Sequence, residues 1–126
     1  MRALNIVETA YRATLEEQDD TIIWLNHAMK GAGAELAVLL RGNAVNYAVR
    51  GQEVTPLSFG GRTQKHAPDI PGQLAGLVGK GVDVFVEQEA LESRGLTATT
   101  LVDGLKPVAR SDLPGLFEAY EQVWHW

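Results

Sequence analysis

Apolar positions along this chain fall into short runs separated by polar and glycine-rich stretches. The spacing within those runs switches between strand-like and helix-like periods. Leu4 to Val7 is a short apolar run and predicts a first strand, and Glu8 to Ala13 then forms a polar loop. Thr14, with Glu17 three residues later, is a capping-box pattern, which satisfies two free amide donors at a helix start. Leu15, Ile22, Leu25 and Met29 follow at helical spacing, and Ile23 and Trp24 widen the apolar face. Glu16, Glu17, Asp19 and Asp20 lie in the first turns, where the helix dipole favours carboxylates. Gly31 and Gly33 end this helix.

Glu35 to Leu40 is nearly continuous in apolar residues, as suits a parallel strand covered on both faces. Ala44 to Val49 reads as a short helix. Residues 51–68 carry Gly51, Pro56, Gly60, Gly61 and Pro68 and little periodicity, which predicts an irregular loop. A loop of that length serves as a flap, an assembly surface or a disordered segment. Asp69 caps a helix whose Ile70, Leu74, Leu77 and Val78 share one face. Val82 to Val86 is a β-branched strand and Glu89 to Ser93 a short helix, with a further helical turn over Thr97 to Val102. Leu105 to Ala109 is the next strand. Ser111 and Asp112 start a last helix that tolerates Pro114 in its first turn, and Val123 to Trp126 adds a closing edge strand.

This alternation predicts an α/β fold. The expectation is a single domain over residues 1–126, built as three layers around a mostly parallel sheet of about five strands. A 126-residue chain with 45% hydrophobic residues can build such a core without disulfide or metal staples. The net charge of −5 and the scattering of the basic residues argue against a nucleic-acid surface, which needs clustered Lys and Arg. The chain has no cysteine, so disulfides, thiolate nucleophiles and thiolate metal sites are excluded. A strand that begins almost at Met1 leaves no room for a signal peptide, and no apolar stretch approaches the ~20 residues of a membrane span. The expectation is a cytoplasmic protein with no membrane partner.

In open α/β sheets ligands gather beyond the carboxyl ends of the strands. Four junctions qualify: Glu8 and Thr9, Arg41 to Asn46, Glu87 and Gln88, and Arg110 and Ser111. If the first three strands are neighbours, Glu8, Asn43, Asn46, Glu87 and Gln88 ring one cleft able to hold a small polar ligand, with Glu8 and Glu87 as a possible acid–base pair. The bland readings are that Asn43 supplies a turn and that Glu87 benefits from a helix dipole. His27, His66 and His125 match no zinc spacing, and Gly31-Ala32-Gly33 follows a helix instead of joining a strand to one, so neither a metal nor a dinucleotide cofactor is expected. Lys106-Pro107 evokes the receiver domains of two-component signalling, but Glu87 stands where an aspartyl phosphate would have to form.

The stretch from Gly81 to Leu96 joins the strand Val82-Asp83-Val84-Phe85-Val86 to Glu87-Gln88 and then to a short helix ending in Arg94-Gly95-Leu96. It resembles the active-site segment of the DsrE/DsrF-like sulfur-relay family, where a cysteine follows such a strand. The resemblance implies a small α/β domain, often assembled into homo- or hetero-oligomers, that carries sulfur as a persulfide and passes it to a partner. It places Glu87 at, or next to, the family's cysteine. A carboxylate cannot store sulfane sulfur as a thiol does, and Met1 and Met29 are thioethers. The resemblance therefore implies a divergent member that binds rather than transfers, as a homo-oligomer or as an accessory partner of sulfur-relay proteins, with an aromatic C-terminus (Tyr120, Trp124, Trp126) suited to association.

Overall fold

The computed structural model describes residues 1–12 and 14–126; Ala13, the end of the predicted polar loop, lies outside the described residues. The chain runs β1 (Arg2–Val7), α1 (Thr14–Glu17), α2 (Thr21–Gly31), β2 (Glu35–Leu40), a 3-10 helix (Gly42–Ala48), β3 (Ser58–Phe59) and β4 (Arg62–Thr63). It continues through α3 (Ile70–Gly79), β5 (Asp83–Glu87), α4 (Gln88–Glu92), a 3-10 turn (Ala98–Thr100) and β6 (Lys106–Val108). A 3-10 turn (Arg110–Asp112), α5 (Leu113–Glu118) and β7 (Gln122–His125) complete it. Five strands form one sheet in the order β6-β5-β2-β1-β7, with every neighbouring pair parallel.

Parallel pairing follows from the sequence because every strand is returned by a helical crossover, and the crossovers must cover the faces. One face carries Val7, Val38, Leu40, Val84 and Val86, packed under Ile23 of α2, Leu74 and Leu77 of α3 and Val45 and Tyr47 of the 3-10 helix. The other carries Leu4, Ile6, Ala37 and Leu39, with Leu113, Leu116 and Phe117 of α5 laid over them. Alternate residues of β1 and β2 thus feed two cores, giving the α/β three-layer arrangement that the apolar runs predict. Helix α5 carries the chain from one sheet edge to the other, so β7 arrives beside β1. Pro107 sits in β6 at the opposite edge, where a strand can spare an N–H and where proline discourages further pairing.

The predicted long helix from Thr14 is two helices. Gln18 adopts a left-handed φ of 65° and ends α1 after one turn. The chain restarts at Asp20, an extended N-cap whose Oδ1 accepts from the amides of Ile22 and Ile23. The pattern carried the warning: between Leu15 and Ile22 there is no apolar residue to hold a turn against the core. Thr14 caps nothing with its hydroxyl, and Glu17 Oε2 instead accepts from the Thr21 hydroxyl at 2.8 Å. Residues 51–68, expected to be irregular throughout, contain the small antiparallel hairpin β3–β4.

Two buried polar clusters fasten the layers. The Tyr47 hydroxyl donates to Asp20 Oδ2 (2.7 Å) and accepts from the Tyr11 amide (2.6 Å), so the loop after β1, the N-cap of α2 and the 3-10 helix meet at one phenol. In the second, Asn5 Nδ2 donates to Asn26 Oδ1 (2.7 Å), Asn26 Nδ2 donates to the Ile22 carbonyl (2.8 Å), and Trp126 Nε1 donates to Asn5 Oδ1 (3.1 Å). Asn5 and Asn26 are fully buried. Replacing Asn5→Ala orphans Asn26 Oδ1 and releases the Trp126 indole. The expected outcome in urea unfolding is a loss of about 2 kcal/mol, from the cost of an unsatisfied buried group, with a red shift of the tryptophan emission before global unfolding. An unchanged midpoint would show that the cluster contributes nothing net.

Candidate functional site

A parallel sheet sends every strand's carboxyl end to the same edge, and in this chain each end delivers one ionisable side chain. Read across the sheet these are Arg110 beyond β6, Glu87 closing β5, Arg41 after β2, Glu8 after β1 and His125 closing β7. They form a connected row. Arg110 donates from Nη2 and Nε to Glu87 Oε1 at 2.6 and 3.0 Å. Arg41 donates from Nε to Glu87 Oε2, while its Nη1 lies 3.1 Å from Glu8 Oε1. His125 Nε2 is 3.2 Å from Glu8 Oε2. Strands about 4.8 Å apart put successive members within reach of one another, and Arg110, Glu87, Arg41 and Glu8 alternate in sign along the row.

Glu87 is the anchor of the row. Its side chain is 3% exposed, against 28% for Arg41 and 61% for Arg110. Burial pushes its carboxyl up, but hydrogen bonds from Arg41 and Arg110 and their nearby positive charges outweigh that and hold it below the usual carboxylate range. The same contact raises Arg110 above its ordinary value. Glu87 is therefore ionised at neutral pH with both oxygens occupied. A carboxylate so placed has no proton to give near pH 7, and both its oxygens are held by cations that lower its basicity, which makes it a poor general acid or base. Although it occupies the N-cap of α4, its side chain makes no capping bond.

Of the predicted site residues, the structure joins Glu8 and Glu87 through Arg41. Asn43 Oδ1 accepts from Arg94 Nη2 (2.8 Å), and Arg94 Nη1 donates to the Ala90 carbonyl, so the Arg-Gly-Leu segment ties α4 to the 3-10 helix. Asn46 Nδ2 donates to the Asn43 carbonyl (2.9 Å), and the Asn46 carbonyl accepts from Gln52 Nε2. Gln88 turns outward to Glu92 Oε1 (3.0 Å) and lines a separate groove of about 360 Å³ with Leu91, Leu96 and Pro107. Sequence reasoning placed Arg41 and Arg110 at strand junctions without giving them a role, and weighed His125 only as a metal ligand. The signal for all three is their place at the end of a strand, the same rule that picks out Glu8 and Glu87.

The remaining motifs resolve simply. His27 Nε2 donates to the Gln73 carbonyl (2.8 Å), which leaves Nδ1 to accept from Lys80 (2.9 Å). Lys106 pairs with Asp83 Oδ1 at 2.7 Å, at the start of β5 and away from the strand ends. Among the described residues no three acidic or histidine side chains converge as a metal site, and no helix is long and apolar enough to cross a membrane.

A five-stranded parallel sheet in three layers, with a charged row along its carboxyl edge and β5 leading directly into a short helix, defines a small three-layer α/β protein. The chain matches the DsrE/DsrF-like family over residues 7–124 and belongs to that family. In solved structures it is similar to the ychN protein from E. coli (18% identity, all of both chains covered, TM-score 0.71). It is also similar to MTH1491 from Methanobacterium thermoautotrophicum, described as a protein of unknown function (15% identity, 98% of this chain and 96% of that one, TM-score 0.62). A third is BT1422 from Bacteroides thetaiotaomicron, described as a conserved protein of unknown function (13% identity, 98% and 94%, TM-score 0.68). At these identities the likeness concerns the fold. A comparison with curated protein sequences gives no match.

Proposed function

We propose that this chain is a non-catalytic DsrE-like protein that acts as an oligomeric binding or accessory partner in intracellular sulfur trafficking. One observation carries the reading: a chain without cysteine has Glu87 at the end of β5, sealed between two arginines. The row of charges occupies the place where a relay member needs an exposed, reactive thiolate, and it serves instead to fix the geometry of five strand ends. A protein of this kind contributes surface to a relay, while a cysteine-bearing partner carries the sulfur. The test joins two measurements. Treatment with a small-molecule persulfide donor is expected to leave the intact mass unchanged, and affinity capture is expected to recover a cysteine-bearing sulfur carrier. Donor-dependent sulfur transfer to an acceptor thiol by the purified chain overturns the reading, as does capture that recovers no such carrier.

A second reading, a small polar ligand held by Glu8, Asn43, Asn46, Glu87 and Gln88, is supported by the adjacency of β1, β2 and β5. The two arginines that already hold both oxygens of the buried Glu87 weigh against it. A thermal-shift screen of polar metabolites, repeated on Glu8→Gln, separates the two readings.

A further inference from the structure

The segment between the 3-10 helix and α3 is an arm with a defined shape. Gly60 and Gly61 both take left-handed φ values, 57° and 76°, as a two-residue hairpin turn requires. The Ser58 and Thr63 hydroxyls bond across the strands, and Phe59 pairs with Arg62. Gln64 anchors the arm: its side chain accepts from the Leu57 amide and donates to the Leu15 carbonyl. The tip is bare. Phe59 is 87% exposed, more than any other large hydrophobic residue in the described chain. A two-stranded hairpin this short stabilises itself poorly, and an isolated aromatic at its tip gains nothing from water.

At the root of the arm lies a cleft of about 540 Å³, walled by Tyr11, Leu15, Val54, Ile70 and Pro71 and rimmed by Glu16. Its size is within the range of roughly 300–1,000 Å³ of binding pockets. Phe59 is not among its walls, so the cleft does not hold the tip of its own arm. The charges of arm and cleft are opposite. The arm carries Arg62 and Lys65 near its tip, with Glu53 and Asp69 at its two ends, and Glu16 is the charged residue that lines the cleft. Among the described residues, Arg62, Lys65 and Glu16 take part in no ion pair.

We propose that two copies of this chain exchange arms, the Phe59 side chain of each entering the cleft of the other with Arg62 set against the second copy's Glu16. The proposal rests on the oligomeric reading above and names its surface. The arrangement is isologous, since one patch carries both the aromatic anchor and its receptacle. Buried aromatics of this kind dominate interface energies, and the basic arm offsets the repulsion between two chains of net charge −5.

Sedimentation velocity on the full chain at low ionic strength tests it. The wild type is expected to sediment as an even-numbered assembly, and Phe59→Ser is expected to weaken association about tenfold or more with an unchanged circular-dichroism spectrum. Arg62→Glu and Glu16→Arg are each expected to weaken it. An equimolar mixture of those two variants is expected to recover it, because both contacts of the mixed pair then join opposite charges. An assembly that Phe59→Ser leaves intact, or a mixture no tighter than its components, overturns arm exchange and leaves the oligomeric reading standing. A wild type that stays monomeric at every concentration overturns both. Binding of an uncharged apolar dye in the cleft, with no response to Phe59→Ser in the assembly state, assigns the cleft to a small molecule and overturns the exchange.

Discussion

Replacing Glu87→Ala is expected to destabilise the protein by about 3 kcal/mol, the low end of the range for breaking a buried ion pair by removing one partner. Two guanidinium groups lose their shared acceptor at once. The figure sits low because water reaches the outer face of both arginines, Arg110 most of all, and screens what remains. In a chain of this size that loss lowers the melting temperature by roughly 10–15 °C. Glu87→Gln keeps the shape and one acceptor oxygen and is expected to lose less. The pH dependence has a definite sign. The folded carboxyl titrates below its ordinary value of 4.5, so the stabilisation from Glu87 is complete above that value and is lost as the pH falls through the folded pKa. The gap in stability between wild type and Glu87→Gln is therefore expected to be constant near neutrality and to close in acid. Chemical denaturation of both proteins across that range measures it. A gap that widens in acid would mean that the two arginines do not hold the carboxylate as described.

Asp20 supports a comparable load through one carboxylate doing two tasks. Its Oδ1 accepts from the first amides of α2 and its Oδ2 from the Tyr47 hydroxyl. Removing a cap of this type costs about 1 kcal/mol, and orphaning the hydroxyl of a fully buried tyrosine costs about 1–3 kcal/mol. Asp20→Ala is expected to lose about 3 kcal/mol in total. Asp20→Asn retains one carbonyl oxygen for the cap and offers Tyr47 a donor in place of an acceptor, so it is expected to lose about half as much. A double-mutant cycle with Tyr47→Phe isolates the shared part; additive losses would show that cap and phenol are energetically separate. The Tyr47 phenol is itself pushed up to about 12, chiefly by burial and further by Asp20. Stability from keeping it protonated is complete below pH 10 and is lost as the pH rises toward 12.

The layers of this fold were legible because strands buried on both faces read as nearly continuous apolar runs, as Leu36 to Leu40 and Val84 to Val86 do. The break between α1 and α2 was signalled only by the absence of an apolar residue between Leu15 and Ile22. Thr14 and Glu17 satisfy a capping template that competes with Asp20, and the Asp20 start is held by its own cap bonds and by a tertiary bond from Tyr47. The hairpin at residues 58–63 escaped because a strand of two residues has no period to detect. At the strand ends, position alone selected Glu8 and Glu87 correctly as junction residues. What joins them could not be read, since it depends on β2 lying between β1 and β5. Arg41 acquires its meaning only from that order, because it needs carboxylates on both sides.

The row of strand-end charges also bears on how this sequence can drift. Losing Glu87 strands two cations, and losing Arg41 leaves an enclosed anion half-neutralised and lets go of Glu8. No member can be exchanged singly without a penalty, so Arg41, Glu87 and Arg110 constitute an epistatic set. A lineage that installed a thiol at the end of β5 would have to relinquish or redirect a guanidinium in the same episode. The two arginines around the acid at this position thus form a barrier to placing a thiol there.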